Sequence, residues 1–202
     1  MKPRLVIQQK ITAFVNKYNV MQANEDGTAR TLIGMAQQKR LAMKEKVMFY
    51  TDEKRDRLSF TFRAEKVLDV HGRYFVEDAS GKLVGMFKKE FMQSIVSSTW
   101  KILDASGNEQ VIVKESNQVL AILRRFGGEI PLLGTLVELV VMFMKYHFVF
   151  LDAQTGKQVG SYTKTTLFRD HYVLQTDDEL WARVDWRVLA AMSVALDALQ
   201  SR

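Results

Sequence analysis

The 202-residue chain has no cysteine, which removes disulfides, thiolate zinc sites, thiol nucleophiles and palmitoylation together. A reducing compartment is compatible with that absence. Histidine is nearly as scarce: His71, His147 and His171 lie far apart, none forms a metal-ligand pair, and none accompanies a serine in a strand-to-helix elbow. Each reads as a structural or surface imidazole. A phosphate-cradling glycine loop is also missing, since Gly127-Gly128 is not followed by Lys-Ser or Lys-Thr and Gly81-Lys-Leu-Val-Gly85 has a hairpin pattern. No segment singles out a pair of carboxylates. These absences weigh against catalysis, so the expectation is a protein that is not an enzyme, with no cofactor and no metal.

The opening Met1-Lys-Pro-Arg-Leu-Val-Ile-Gln-Gln-Lys10 has two early cations but no apolar run of leader length, so secretion through a cleaved leader is not expected. The expected location is cytoplasmic, peripheral at the inner membrane face. With 47% apolar and 26% charged residues the composition is globular, and nothing marks a junction, so residues 1–202 are expected to form one domain. The formal charge of +6 is unevenly shared. Residues 1–66 hold 14 Lys and Arg against 7 Asp and Glu, whereas residues 67–202 hold 15 against 16. A cationic field in the first third attracts anionic lipid or nucleic acid over a Debye length of roughly 8 Å. The same charge also serves as a solvated, solubilising surface.

What the chain does contain is a weak internal repeat, in which a strand ends in Asp, turns through small residues and restarts. Tyr74-Phe-Val-Glu-Asp78-Ala-Ser-Gly81 is echoed by Trp100-Lys-Ile-Leu-Asp104-Ala-Ser-Gly107 and by Phe148-Val-Phe-Leu-Asp152-Ala-Gln-Thr-Gly156, with a degenerate copy from Tyr18 to Asp26-Gly27. Aspartate supplies a side-chain acceptor that closes a turn, and glycine supplies positive φ without steric cost, so each copy reads as a hairpin in an antiparallel sheet. Leu58, Phe60 and Phe62 alternate with Ser59, Thr61 and Arg63, giving one core face and one wet face. Calcium coordination is the rival reading of these turns, but each offers a single carboxylate followed by alanine, and turn chemistry explains it more simply. The run Asp177-Asp178-Glu179 reads likewise as a turn with acidic residues near a helix N-terminus.

Three segments have helical spacing. Residues from Lys39 to about Tyr50 set Leu41, Val47 and Met48 among Lys39, Arg40, Lys44 and Lys46, as in a cationic amphipathic helix. From about 116 to 145 an inserted helical hairpin is expected: Val119, Ile122, Leu123 and Phe126 lead to Arg124, Arg125 and Gly127-Gly128, and a second apolar stripe runs through Leu136, Val137, Val140, Val141 and Met144. That hairpin either covers the end of a sheet barrel or docks at a bilayer or on a partner protein. The third segment, about 185–200, is apolar all round: from Val188 to Leu199 only Ser193 and Asp197 are polar. Such a helix must be buried or in a membrane, and a dozen residues fall short of the roughly 20 that span a bilayer. Its small residues Ala190, Ala191, Ser193, Ala195 and Ala198 suit a helix filling the lumen of a barrel.

Nucleic-acid recognition has one supporting feature, an isoelectric point near 9.5. The aromatic residues of Leu58 to Phe62 and Phe148 to Phe150 alternate into a core instead of interleaving with Arg on an open face, so specific stacking is not expected. Non-specific contact of the basic segment with phosphates stays open.

The Asp-x-x-Gly hairpins, the opening Leu5-Val-Ile-Gln-Gln-Lys-Ile11 and the closing Asp185-x-x-Val-Leu-Ala-Ala-Met-x-Val-Ala-Leu-Asp197 together resemble the LURP-one-related proteins. Residues Gln37 to Glu45 and Ser98-Thr-Trp100 look typical of an actinobacterial branch. The resemblance implies the fold shared with Tubby C-terminal domains and phospholipid scramblases: mainly β, a closed antiparallel barrel of about a dozen strands around a buried hydrophobic C-terminal helix. It also implies a non-enzymatic, membrane-associated role, with anionic headgroups met by cations. The acylated Cys cluster and acidic calcium segment of scramblases have no counterpart here, so lipid movement is not expected. The expected function is therefore binding of an anionic membrane surface or a lipid-like ligand. Lys39, Arg40, Lys44, Lys46, Arg124 and Arg125 are the candidate contacts. A protein-interaction module built on the 117–144 hairpin is the alternative, and non-specific nucleic-acid binding a weaker one.

Overall fold

The computed structural model describes residues 1–11, 15–39, 46–65, 72–90, 99–115, 147–165 and 170–200. Twelve strands account for most of them: β1 (Lys2–Ile11), β2 (Val15–Ala23), β3 (Ala29–Lys39), β4 (Lys46–Tyr50), β5 (Leu58–Ala64), β6 (Arg73–Asp78), β7 (Leu83–Glu90), β8 (Thr99–Leu103), β9 (Glu109–Glu115), β10 (His147–Asp152), β11 (Gln158–Lys164) and β12 (Asp170–Thr176). Each pairs antiparallel with its neighbours in sequence, and β1 pairs with β12 to close the barrel. Two helices follow, α1 (Asp178–Arg183) and α2 (Trp186–Gln200).

The repeated turns all lie at one end. Asp78 Oδ1 accepts from the backbone N–H groups of Ser80 at 2.9 Å and Lys82 at 3.0 Å. Asp104 does the same for Ser106 and Asn108, and Asp152 for Gln154 and Thr155. The glycine that ends each turn has positive φ, 86° at Gly81 and 68° at Gly156, a conformation in which any Cβ is strained. These carboxylates are occupied by their own turns. The degenerate copy forms the β2–β3 hairpin, with Asp26 accepting from Thr28 N–H.

Inside, strand alternation delivers Phe60 and Phe62 from β5, Val76 from β6, Phe87 from β7, Trp100 and Ile102 from β8 and Phe148 and Phe150 from β10 to one core. Leu58 does not follow Phe60: a register shift sets it opposite Tyr50 and outside that core. Thr61, on the other face, is buried all the same.

α2 occupies the lumen. Val188, Leu189, Ala190, Ala191, Met192, Val194, Ala195 and Leu196 are all 0–1% exposed, and they surround the helix on every side. Enclosing a large apolar side chain stabilises by roughly 1.5–3 kcal/mol, so Leu189, Met192 and Leu196 alone tie the sheet to its centre. Ser193, the one polar residue in this stretch, donates its hydroxyl to Leu189 O at 2.8 Å. The helix starts near the turn end, where Trp186 packs edge-on against Phe60 at 5.5 Å. Asp185 accepts from Arg187 N–H there at 2.9 Å.

Two sequence expectations change. The acidic run before α2 opens a helix of its own, α1, because Asp177 caps it by accepting from Leu180 N–H at 2.8 Å and Leu180 plugs into the core. The helix expected from Lys39 to about Tyr50 is not formed by its described ends, since Lys39 closes β3 and Lys46–Tyr50 is β4. Lys46-Val-Met-Phe-Tyr50 alternates exposed and buried, with Val47 and Phe49 facing the core. A run of β-branched and aromatic residues fits a pleated, half-buried surface better than a helix. Residues 40–45 of that segment and the hairpin expected over about 116–145 lie outside the described residues.

Candidate functional site on the cation-rich half of the barrel

In the half of the barrel away from the aspartate turns, the described inner wall is aromatic. Tyr74 stacks on Phe87 at 4.9 Å, and Tyr162 on Tyr172 at 5.0 Å. Gln9 Nε2 donates to the Tyr18 hydroxyl at 3.0 Å, and the Tyr172 hydroxyl donates to Asp197 Oδ1 at 2.5 Å, which fastens the last turns of α2 to β12. Two lysines take inward positions next to this wall. Lys89 Nζ lies 5.6 Å from the ring of Trp100, and Lys164 Nζ lies 5.7 Å from that of Tyr172, both within cation–π range.

On the outer wall of the same half, strand register brings cations face to face. Lys10 is opposite Lys17, Lys46 opposite Arg63, Arg73 opposite Lys88, and Lys88 opposite Lys101. Every register pair of two charged residues among the described strands is cation against cation. Like charges directly opposite destabilise a sheet, and part of the belt is compensated. Glu77 accepts from Arg63 at 3.0 Å, while Lys101 meets both Glu90 and Glu109 at 2.8 Å and Lys88 meets Glu109 at 3.2 Å. The hydrogen bond to Glu109, helped by Glu90, holds the Lys101 ammonium above its usual pKa, and Lys101 in turn holds Glu109 below the usual carboxylate range. Lys10, Lys17, Lys46 and Arg73 have no ion-pair partner among the described residues.

The turn end carries both signs, with Lys2, Arg4, Arg30, Lys54, Arg55, Arg57, Lys82, Lys157 and Arg183 beside its carboxylates. Asp26, Asp78, Asp104, Asp152, Asp177, Asp178 and Glu179 cluster there, with Asp152 held by Arg183 at 2.7 Å and Asp178 by Lys2 at 3.1 Å and by Arg4.

Of the residues expected from sequence to meet an anion, Lys46 is exposed at the start of β4 and belongs to the belt. Lys39 ends β3 opposite Val15, and its side chain is not described. Arg40, Lys44, Arg124 and Arg125 lie outside the described residues. Sequence reasoning missed Lys10, Lys17, Arg63, Arg73, Lys88 and Lys101. Alternation places each on an outer face, but nothing local announces which cation will stand opposite which. Among the described residues no group of three or more His, Asp or Glu side chains is arranged to hold a metal ion, and no helix is long and apolar enough to cross a membrane.

A family model for LURP-one-related proteins matches residues 33–197, from the middle of β3 to Asp197 in α2. The chain belongs to that family. The LURP-one-related match takes in Lys46, Arg63, Arg73, Lys88 and Lys101 but begins after β1 and β2, which carry Lys10 and Lys17 and complete the closure of the barrel. No curated protein matches the chain. A closed barrel of this family filled by its own helix is an architecture consistent with a binding module that has no enzymatic role.

Proposed function

We propose that this LURP-one-related barrel is a non-enzymatic module that docks by its cation-rich half on an anionic membrane surface, peripheral at the inner face. The supporting observation is the register of the outer belt. Lys10 opposite Lys17 keeps like charges adjacent with no ion pair to either, and Lys46 and Arg73 stand unpaired beside the compensated Arg63 and Lys88; rules of local consistency are broken where function requires it. A layer of phosphates lying against the belt relieves that repulsion.

Cosedimentation with phosphatidylserine-containing and purely phosphatidylcholine vesicles over a salt series tests this reading. Binding to the anionic vesicles alone, weakening as salt rises, is the expected result. Near a surface each cation contributes about 1 kcal/mol, so Lys46→Ala and Arg73→Ala should each lower the partition coefficient roughly fivefold. Equal, negligible binding to both vesicles removes the idea. A gel shift with mixed-sequence DNA in place of vesicle binding transfers the belt to nucleic acid.

A further inference from the structure

β1, β2 and β3 carry Lys2, Arg4, Lys10, Lys17, Arg30 and Lys39 but no Asp or Glu. Two rows of polar residues cross their outer face. Register sets Lys10 beside Lys17 and Lys17 beside Gln37; in the next row His171 of β12 stands beside Gln8, and Gln8 beside Asn19. Alternation turns all six outward, because their chain neighbours Gln9, Tyr18, Ala36 and Tyr172 face the lumen. Lys10 and Lys17 are exposed, while Gln8, Asn19, Gln37 and His171 are half-buried. The Gln8 and His171 side chains are fixed to each other, Nε2 to Nε2 at 2.5 Å. Asp170, the one acid on β12, stands opposite Gln9, a register position of the lumen face.

Elsewhere in the belt each cross-strand pair of cations has a carboxylate on at least one member: Glu77 on Arg63, and Glu109 on Lys88 and Lys101. Lys10 and Lys17 have none among the described residues, although residues directly opposite stand only about 4.5–5.5 Å apart at Cβ. Two adjacent ammoniums without a counter-charge match a doubly charged ligand better than a singly charged one. A phosphomonoester carries about −1.5 to −2 near neutral pH and has three terminal oxygens, whereas a phosphodiester carries a single charge. We infer that this acid-free face is a site for a phosphomonoester, with Lys10 and Lys17 meeting two of its oxygens and the amides of Asn19 and Gln37 at hand for the third. The inference rests on the membrane reading only for the source of the ligand, the headgroup of phosphatidic acid; a soluble phosphomonoester has the same chemistry. Gln8, Lys10, Lys17 and Asn19 all precede residue 33, where the family match begins.

Cosedimentation of the full chain with phosphatidylcholine vesicles containing either phosphatidic acid or phosphatidylserine, matched in surface potential, tests the site. Amide NMR shifts on addition of glycerol phosphate read the soluble arm. Binding to phosphatidic acid should be roughly fivefold tighter, the worth of about one more cation contact at a surface. Lys17→Gln should cancel that preference, and Lys157→Gln, at the exposed β10–β11 turn, should keep it. Both Lys10 and Lys17 are exposed, so glutamine in their place leaves the core intact. Equal binding to the matched vesicles, with no shift at Lys10 or Lys17 in glycerol phosphate, overturns the site and leaves the membrane reading standing. A preference that survives in the Lys10→Gln, Lys17→Gln double variant also overturns it. Shifts at both lysines in glycerol phosphate without binding to either vesicle support the site, assign it to a soluble ligand and remove the membrane reading.

Discussion

A Cβ placed on Gly85 would lie 2.7 Å from Val188 Cγ2 and 3.1 Å from the carbonyl oxygen of Leu103. The sheet therefore approaches the central helix so closely at this point that only hydrogen fits between β7 and α2. Overpacking of this kind costs about 1–3 kcal/mol, and Gly85→Ala should lower the unfolding midpoint accordingly. Val188→Ala alone leaves a small void, but in the Gly85→Ala background it removes the clash, so the double variant should be more stable than additivity allows. Strict additivity in denaturant unfolding would mean that the two positions are not in contact.

At the other end of the helix, Tyr172 donates to Asp197 from within the aromatic wall. Tyr172→Phe keeps the ring against Tyr162 and deletes only the donor to a carboxylate. Loss of a hydrogen bond to a charged group costs about 1.5–3 kcal/mol. Denaturant titration should show that loss without a change of slope, and an unchanged midpoint would show that the bond contributes nothing.

The cation belt sets stability against binding. Arg73→Glu converts the pair with Lys88 from like to opposite charge, which should raise stability by about 0.2–1 kcal/mol while weakening attachment to anionic vesicles more than Arg73→Ala does. Calorimetry and cosedimentation on one preparation read both effects. A destabilised Arg73→Glu variant would contradict the repulsion inferred from the register.

Acid should destabilise the fold through the turn carboxylates. The guanidinium of Arg183, with the backbone and hydroxyl of Thr155, holds the Asp152 carboxyl well below its ordinary value of 3.8, and hydrogen bonds from Ser80 and Asn108 lower Asp78 and Asp104. A carboxylate lowered in the folded state contributes stability that is complete above its unfolded pKa and disappears as pH falls through the folded one. Stability should thus hold down to about pH 4 and then decline. Lys101 is raised in the folded state, so its share is present below its ordinary 10.5 and lost as pH climbs past the folded value. Asp152→Asn should flatten the acid limb in a series of midpoints measured against pH; an acid limb as steep as that of wild type would exclude Asp152 as a contributor.

Hairpins were legible because an Asp-x-x-Gly turn is closed by neighbours along the chain. Asp78, Ser80, Gly81 and Lys82 carry the whole interaction within five positions, so composition and spacing suffice to read it. The helix expected from Lys39 to about Tyr50 gave way to strand at its Lys46–Tyr50 end for the opposite reason. Its apolar residues fit both periods over so short a run, and the partners Phe60 and Phe62 across β5, which decide for strand, are remote in sequence. α1 escaped notice because Asp177 capping Leu180 differs from a turn only once Leu180 has a core to enter.

By itself the amino-acid order determined that residues 188–196 must be enclosed, since a helix apolar on every side has no face left for water. It also determined that the enclosing wall is built from hairpins. Only the tertiary structure decided that Lys10 meets Lys17 and that Arg73 meets Lys88, which in turn meets Lys101. The physical reason is register: a shift of one residue turns every side chain of a strand to the other face, and that register is set by closing twelve strands around one helix.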